Sequence, residues 1–290
     1  MANSIALVKK YVDQLDTVYR QASLTNELES NSAIVRTGTN ANEIVIPKID
    51  MDGLADYDRT SGYVDGNDNL SWETVKFDYD RGRAFSVDAM DNEETIGISF
   101  GMLSSEFIRN KVVPEMDAYR FAKYAGTSGI TVKSEALSDG SSVCNAITTA
   151  NNVLDEAEVN AENRYLFITP SLYNTIIALD TYKSIAMLSG FAKVVKVPQT
   201  RFYTAIDLLD GKTEDEKIGG YKKATAGKNI NFMIIQKSAV VQFTKHIVNK
   251  IITPEANQSA DAWKFFYRAY GLTDVYDNKV KGIYCSHSTT

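Results

Sequence analysis

Three places in this sequence carry residue types that could do chemistry. Cys285 and His287 stand two residues apart near the end of the chain, and His246 is the only other histidine. On a strand that spacing turns the thiol and the imidazole to one face, the beginning of a nucleophile–base pair. Such a pair also needs an acid to orient the base and donors to receive an oxyanion, and no neighbouring residue supplies either. No second Cys/His cluster has metal-ligand spacing. Asp210-Gly211-Lys212-Thr213 ends like a phosphate-binding loop. The glycine that should stand five positions before Gly211 is Ile206, and a strand-to-helix setting is missing. The third place is residues 50–70, where Asp50, Asp52, Asp56, Asp58, Asp65 and Asp68 face a single Arg59. Neither Asp50-Met51-Asp52-Gly53 nor Asp65-Gly66-Asn67-Asp68-Asn69 fits the calcium-loop template, with glycine sixth and glutamate twelfth. Nucleophile elbows and dinucleotide fingerprints are absent. The chain reads as one without catalytic, cofactor-binding or metal residues, and so not as an enzyme.

What remains is how the elements place that acidic stretch. The 290 residues suffice for one large or two ordinary domains. A 44% hydrophobic and 23% charged composition is that of a globular chain. The net charge of −6 leaves no electrostatic footprint for a dedicated nucleic-acid binder. Cys144 and Cys285 are too few for a disulfide framework and read as reduced thiols of a cytosolic setting. Residues 1–10 lack the pattern of a signal peptide, and no apolar run approaches ~20 residues, so no membrane span is expected.

Ile5, Val8, Val12, Leu15, Tyr19 and Ala22 recur at steps of three and four, which predicts a helix over 4–22. A strand is expected at 43–47, ended by Pro47, and two more at 72–79 and 83–87, with Arg81-Gly82-Arg83 as a bulge or bend between them. The twenty-residue acidic excursion between the first two is unusual in a compact domain. Asp91 can cap a long helix with Glu94 as capping-box partner. Its apolar face runs Ile96, Phe100, Leu103, Phe107, then Val112, Met116 and Tyr119. Pro114 interrupts it, so that helix either kinks there or ends and restarts. From residue 141 helices and strands alternate: helix 143–159, strand 164–169, helix 170–179, then strands 193–197, 231–236, 240–253, 263–270 and 280–285.

This order of parts resembles the Hong Kong 97-type major capsid proteins of tailed bacteriophages. The likeness rests on the strand and acidic excursion from Ile44 to Trp72, and on Phe77-Asp78-Tyr79-Asp80-Arg81-Gly82-Arg83-Ala84-Phe85. It continues in Asp88-Ala89-Met90-Asp91, Val113-Pro114-Glu115-Met116-Asp117-Ala118-Tyr119-Arg120, Leu166-Phe167-Ile168-Thr169-Pro170 and Val195-Lys196-Val197-Pro198. It ends in Tyr267-Arg268-Ala269-Tyr270-Gly271-Leu272 and Asn278-Lys279-Val280-Lys281-Gly282-Ile283-Tyr284.

The resemblance implies an α+β fold with an N-terminal arm (1–42), an extended E-loop hairpin (43–88), a P-domain with a long spine helix (89–140 and 237–270) and an axial A-domain (141–236 and 271–290). It implies a structural protein that self-assembles, as hexamers and pentamers, into an icosahedral virion shell around double-stranded DNA. Assembly would occur in the host cytoplasm, without sequence-specific DNA contacts and without a membrane. The predicted arm helix starts almost at Met1, so a separate scaffolding protein and a portal are expected as partners, unless this is a processed form. Residues 50–70 hold no lysine, which speaks against the lysine crosslink some members make at the E-loop tip. Asp50, Asp52, Asp56 and Asp58 are the candidates for intersubunit contact, opposite Arg109, Lys111, Arg120 and Lys123 on a neighbour's spine helix. Two other readings stand beside this one: an encapsulin-like compartment shell of the same fold, and an uncharacterised enzyme for which no catalytic residue can be named.

Overall fold

The computed structural model describes residues 23–30, 36–37, 43–60, 62–90 and 104–289. The predicted arm helix at 4–22 and the capped start of the long helix at 91–103 lie outside the described residues.

Strand β1 (Arg36–Thr37) pairs with β2 (Glu43–Met51), and β2 pairs antiparallel with β3 (Asp68–Lys76). Strand β2 does not end at Pro47 but runs four residues beyond it, opposite Ser71 through Asp68. β1 reaches only Ile44 and Val45 of β2. At Pro47 the far side of β2 therefore has no partner strand among the described residues, and an edge position tolerates the missing N–H.

Strand β4 (Tyr79–Asp88) follows after two residues and belongs to a different sheet. The expected interruption at Arg81-Gly82-Arg83 does not occur. β4 pairs without a break from Tyr79 opposite Gly271 to Asp88 opposite Ala262. Gly82 serves close approach instead: a Cβ there would lie 2.8 Å from the Tyr267 carbonyl oxygen.

Residues 104–107 are helical, Ile108–Val112 form a π turn, and helix α1 (Val113–Gly126) continues. Helical dihedrals run through Phe107, Val112 and Val113. The helix neither ends nor restarts at Pro114. A proline lacks the N–H for the i−4 bond and its ring crowds that carbonyl; the wider π turn just before it gives the room.

Strand β5 (Thr131–Ser134) leads to helix α2 (Gly140–Glu156), whose N-cap Asp139 and Ser142 form a reciprocal capping box. Then come β6 (Arg164–Ile168), α3 (Pro170–Ile177), α4 (Tyr182–Ser189), β7 (Lys193–Lys196), β8 (Ile206–Leu208), β9 (Tyr221–Lys223) and β10 (Ile230–Gln236). The chain ends in β11 (Val240–Ile252), β12 (Ala262–Val275) and β13 (Ile283–His287).

A five-stranded sheet in the order β5-β13-β10-β6-β7 has both faces covered. Tyr165, Phe167, Met233, Ile235, Ile283 and Cys285 pack on one side with Phe121 and Tyr124 of α1. Leu166, Ile168, Phe232, Ile234 and Tyr284 pack on the other with Val143, Ile147 and Leu154 of α2. This double burial is why β6 and β10 read as near-continuous apolar runs. The second sheet, β11-β12-β4, packs Phe265, Tyr267 and Ala269 on Ile108, Val112, Val113 and Met116. One helical rod thus closes both cores, and each fully buried aromatic on it is worth ~1.5–3 kcal/mol.

Candidate functional site

Beyond β2 and β3 the hairpin ends in a tip at residues 52–67. Asp52 N–H donates to the Asn67 carbonyl at 3.1 Å, and Asn67 N–H donates to the Asp52 carboxylate at 2.8 Å. Further out, Asp58 and Gly62 exchange backbone bonds of 3.3 and 2.8 Å. Gly62 has φ +83°, which only glycine adopts freely. Tyr57 and Tyr63 meet across this turn with ring centroids 4.8 Å apart and ring planes tilted by 59°.

Asp52, Asp56 and Asp58 are exposed on this tip, as the charge pattern predicts, and Asp50 lies in β2 opposite Asn69. The tip is not simply acidic. Met51, Leu54, Tyr57, Tyr63 and Val64 are all exposed, Leu54 fully and Tyr63 to 89%. The apolar share of the tip was readable as Leu54, Tyr57, Tyr63 and Val64 among the aspartates, but the acidic count hides it.

The four basic candidates divide. Arg109 and Lys111 are exposed on the π turn. Arg120 is buried: it donates to Thr25 Oγ1 at 2.8 Å and to Thr244 Oγ1 at 3.4 Å. Lys123 is bonded to Asp78 of its own chain at 2.6 Å. The expectation that all four face a neighbour is therefore corrected for Arg120, which is buried, while Lys123 keeps a partly exposed side chain within its own-chain pair. Arg120 stands four residues after Met116, on the apolar stripe itself, and that spacing was its signal.

Next to Arg120, Asp117 is fully buried. It accepts from Ser23 Oγ (3.0 Å), Leu24 N (3.1 Å), Thr25 N (3.4 Å), Thr25 Oγ1 (2.9 Å) and Arg201 Nη1 (3.3 Å). Tyr124 donates to Gln242 Oε1, whose amide donates to the Thr25 carbonyl, each at 3.0 Å. Residues 23–25 are thus tied to the helix and β11, with Arg201 sharing the Asp117 carboxylate.

A groove of about 1030 Å³ opens between β4, the π turn and the loop 209–223. Arg81 Nε meets Glu115 Oε1 at 2.8 Å and Arg81 Nη2 donates to the Gly220 carbonyl at 3.2 Å. Arg83 donates to the Lys217 carbonyl at 3.0 Å. The Gly211-Lys212-Thr213 turn holds an anion, but it is the protein's own. Asp210 accepts from Lys212 N (2.7 Å), Thr213 N (2.9 Å) and Thr213 Oγ1 (2.6 Å). Those bonds, the Thr213 hydroxyl foremost, hold its carboxyl down at about 2.

Cys285 is buried in β13, and burial pushes its thiol up to about 12, the reverse of an activated nucleophile. His287 Nδ1 lies 2.8 Å from the Ser288 carbonyl, and His246 is exposed on β11. Among the described residues no group of three or more His, Cys, Asp or Glu could hold a metal ion, and no helix is long and apolar enough to cross a membrane.

A hairpin projecting from a body of two sheets joined by one long helical rod defines a Hong Kong 97-like capsid fold, and solved structures share it across most of this chain. The virus-like particle of Pyrococcus furiosus matches with a TM-score of 0.62 and 11% identity, over 97% of this chain and 99% of that one. A chain of Gordonia phage Cozz matches at 0.61 with 12% identity, over 93% and 87%. The capsid structure of cyanophage P-SCSP1u matches at 0.57 with 12% identity, over 93% and 89%. No family model matches the sequence. One curated protein, the phosphoserine aminotransferase of Vesicomyosocius okutanii subsp. Calyptogena okutanii (strain HA), is 23% identical over 230 residues. These cover 76% of this chain, which spans 58% of the length of that relative.

Proposed function

We propose that this chain is the major capsid protein of a tailed bacteriophage. Its copies assemble as hexamers and pentamers into an icosahedral shell around double-stranded DNA. The observation that carries this reading is the fold, shared over nine-tenths of the chain with phage capsids and a virus-like particle. The acidic tip supports it, because a projecting charged hairpin with exposed apolar residues is built to meet another surface. Asp50, Asp52, Asp56 and Asp58 face Arg109 and Lys111 of an adjacent subunit, contacts that set register rather than supply affinity. The role is structural and not enzymatic. A separate scaffolding protein and a portal act with it in the host cytoplasm, and the finished shell belongs to the virion. DNA is enclosed without sequence-specific contacts, in keeping with the net charge of −6.

Electron microscopy of the purified protein tests this. Shells or capsomers are expected; a discrete small oligomer at assembly concentrations overturns it. An encapsulin-like compartment shell of the same fold is the second reading, and the match to the virus-like particle of Pyrococcus furiosus is compatible with either. Nuclease-protected DNA within particles from the native source decides for the phage shell, and a packaged protein cargo decides for the compartment.

A further inference from the structure

Between Tyr203 and Asn229, which pair at its root, the chain leaves the body as a narrow ribbon. Strands β8 and β9 form its sides and residues 209–220 its end. No residue from 203 to 226 is buried, so the ribbon has no core of its own. A lone two-stranded ribbon is marginal in water, and segments with few buried contacts are the ones that open locally. The end of this ribbon is nevertheless shaped from within. Leu209 N–H donates to the Gly220 carbonyl (2.9 Å), Asp210 N–H to Glu216 Oε2 (3.0 Å) and Gly219 N–H to the Glu216 carbonyl (2.8 Å). Asp210 in turn accepts from Lys212 N–H and from Thr213. All of these bonds lie inside the segment, so they survive when it moves as a piece.

Two arginines of β4 hold that end down. Arg83 Nη2 donates to the Lys217 carbonyl at 3.0 Å, and Arg81 Nη2 donates to the Gly220 carbonyl at 3.2 Å. Arg83 Nη1 lies in a cradle between Gly211 and Gly219, where a Cβ on either would come within 2.8 and 3.1 Å of it. Both glycines have positive φ, +71° and +68°, a bend around the guanidinium that other residues adopt only with strain. The segment also carries Glu214, Asp215 and Glu216, and Lys217 and Lys222 stand 3.5 and 3.9 Å from the first and last of these. On the segment both arginines bond carbonyls and not these acids, a directional grip rather than a match of charge.

Arg81 and Arg83 are the third and fifth residues of β4. Among the described residues β4 pairs with β12 alone, and it starts two residues after β3, the returning strand of the hairpin. The hairpin thus springs from an edge strand, and residues 209–220 brace that strand across the groove from the π turn.

We propose that residues 209–220 are a strap that opens and closes as one piece, and that its closure on Arg81 and Arg83 fixes the direction of the hairpin. Closed, the strap ties the ribbon to the foot of the hairpin. Open, it leaves Arg83 in solvent and Arg81 on Glu115, and β4 is held by β12 and by its own buried residues. The device acts within one subunit and does not depend on the shell reading.

Hydrogen exchange of the unassembled subunit, followed by mass spectrometry, tests the strap. Arg83→Met keeps the aliphatic stem and removes the grip. Exchange across 209–220 should rise about tenfold, or ~1.4 kcal/mol, at the lower end for a bond to a charged group because Arg83 is exposed. Strands β6 and β10 should exchange as in the parent. Lys212→Met removes a charge of the same sign without touching the grip, and should leave the exchange unchanged. Parent-like exchange in Arg83→Met, an equal rise in Lys212→Met, or a rise confined to part of the segment overturns the strap. An equal rise in β6 and β10 means that the whole subunit opens together, and overturns it too. The hold on the hairpin is read from spin labels at Tyr63→Cys on the hairpin and Val153→Cys on α2. Both sites are exposed, Cys144→Ser removes the half-buried thiol, and Cys285 is buried. Adding Arg83→Met should broaden the distribution of distances between the labels. Faster strap exchange with the parent's distribution overturns the hold on the hairpin.

Discussion

Replacing Asp117 tests whether residues 23–25 are tied to the helix by one buried carboxylate. Its oxygens accept five bonds, of 2.9 to 3.4 Å, from residues 23–25 and Arg201, and the side chain has no exposed surface. Asp117→Ala removes the acceptor and leaves the donors in place. The buried Thr25 N–H then has no listener, at a cost of ~1–3 kcal/mol for a desolvated donor. The half-buried Leu24 N–H recovers part of its loss through water. Arg201 keeps 21% of its side chain exposed and is not stranded as a wholly buried cation would be. These effects together put the loss at ~1–3 kcal/mol, set by the stranded buried donor, short of the ~3–5 kcal/mol that follows when a buried charge is left unpaired. Domain stabilities are only ~5–15 kcal/mol, so this is a large fraction. Asp117→Asn keeps one acceptor and points an N–H₂ at donors, so about half that loss is expected. Urea unfolding of the unassembled subunit measures both, and limited proteolysis should open the chain at residues 23–30 first. A companion Thr25→Val change should be non-additive with Asp117→Ala by ~0.5–3 kcal/mol, as for residues of one network. An Asp117→Ala subunit within ~0.5 kcal/mol of the parent, an ordinary surface-substitution effect, would falsify the carboxylate's role as the tie.

Three further outcomes are expected. Gly140→Ala should lower the unfolding free energy by ~1–3 kcal/mol through overpacking, because its Cβ would lie 2.3 Å from the Thr175 carbonyl oxygen and 2.8 Å from Leu179 Cγ; an unchanged stability contradicts the tight α2–α3 approach. Burial raises the Asp274 carboxyl above its ordinary value. A carboxylate with a raised folded value costs stability once pH exceeds its unfolded value of ~3.9. Asp274→Asn should therefore be the more stable form at pH 7, with the difference fading toward pH 4; a less stable variant at pH 7 refutes that sign. Cys144 is half-buried on α2 and its thiol is raised only by partial burial, whereas Cys285 is pushed up to about 12. Alkylation at pH 8 should label Cys144 slowly and Cys285 only after unfolding, and mass spectrometry of the native protein showing Cys285 labelled would contradict its burial.

The sequence shows where apolar runs force an element and is silent where geometry is set by distant partners. Strands β6 and β10 and helix α2 were legible because their apolar residues leave little choice of period. Helix α4 was missed: it is eight residues long, and its Tyr182 and Ile185 are exposed, so no buried stripe announces it. Pairing of β8 with β9 was missed because each strand has three residues and they are separated by a charged loop. The last strand starts at Ile283, not 280, because Asp277–Gly282 forms a 3-10 turn that packs Val280 against the core. In the candidate site, charge was visible and burial was not. The sign of Arg120 made it look available, while its partner Thr25 is 95 positions away in the chain.

The same tip that needs a partner must stay in solution until it finds one. Exposed tyrosine, leucine and valine at a hairpin end would pair with their like on another copy if apolar contact alone decided the matter. Six aspartates within twenty residues oppose that pairing, because two approaching tips repel. In the proposed shell, charge selects the encounter and the apolar residues hold it once water is excluded. The division follows from magnitudes. Exposed ion pairs give ~0–1 kcal/mol each and are screened over ~8–10 Å at physiological salt, whereas a fully buried large apolar side chain gives ~1.5–3 kcal/mol that salt does not remove. Raising the ionic strength should therefore slow assembly more than it loosens shells already formed. It should also lift the repulsion between tips, so that unassembled subunits aggregate through Tyr57 and Tyr63 before shells dissociate.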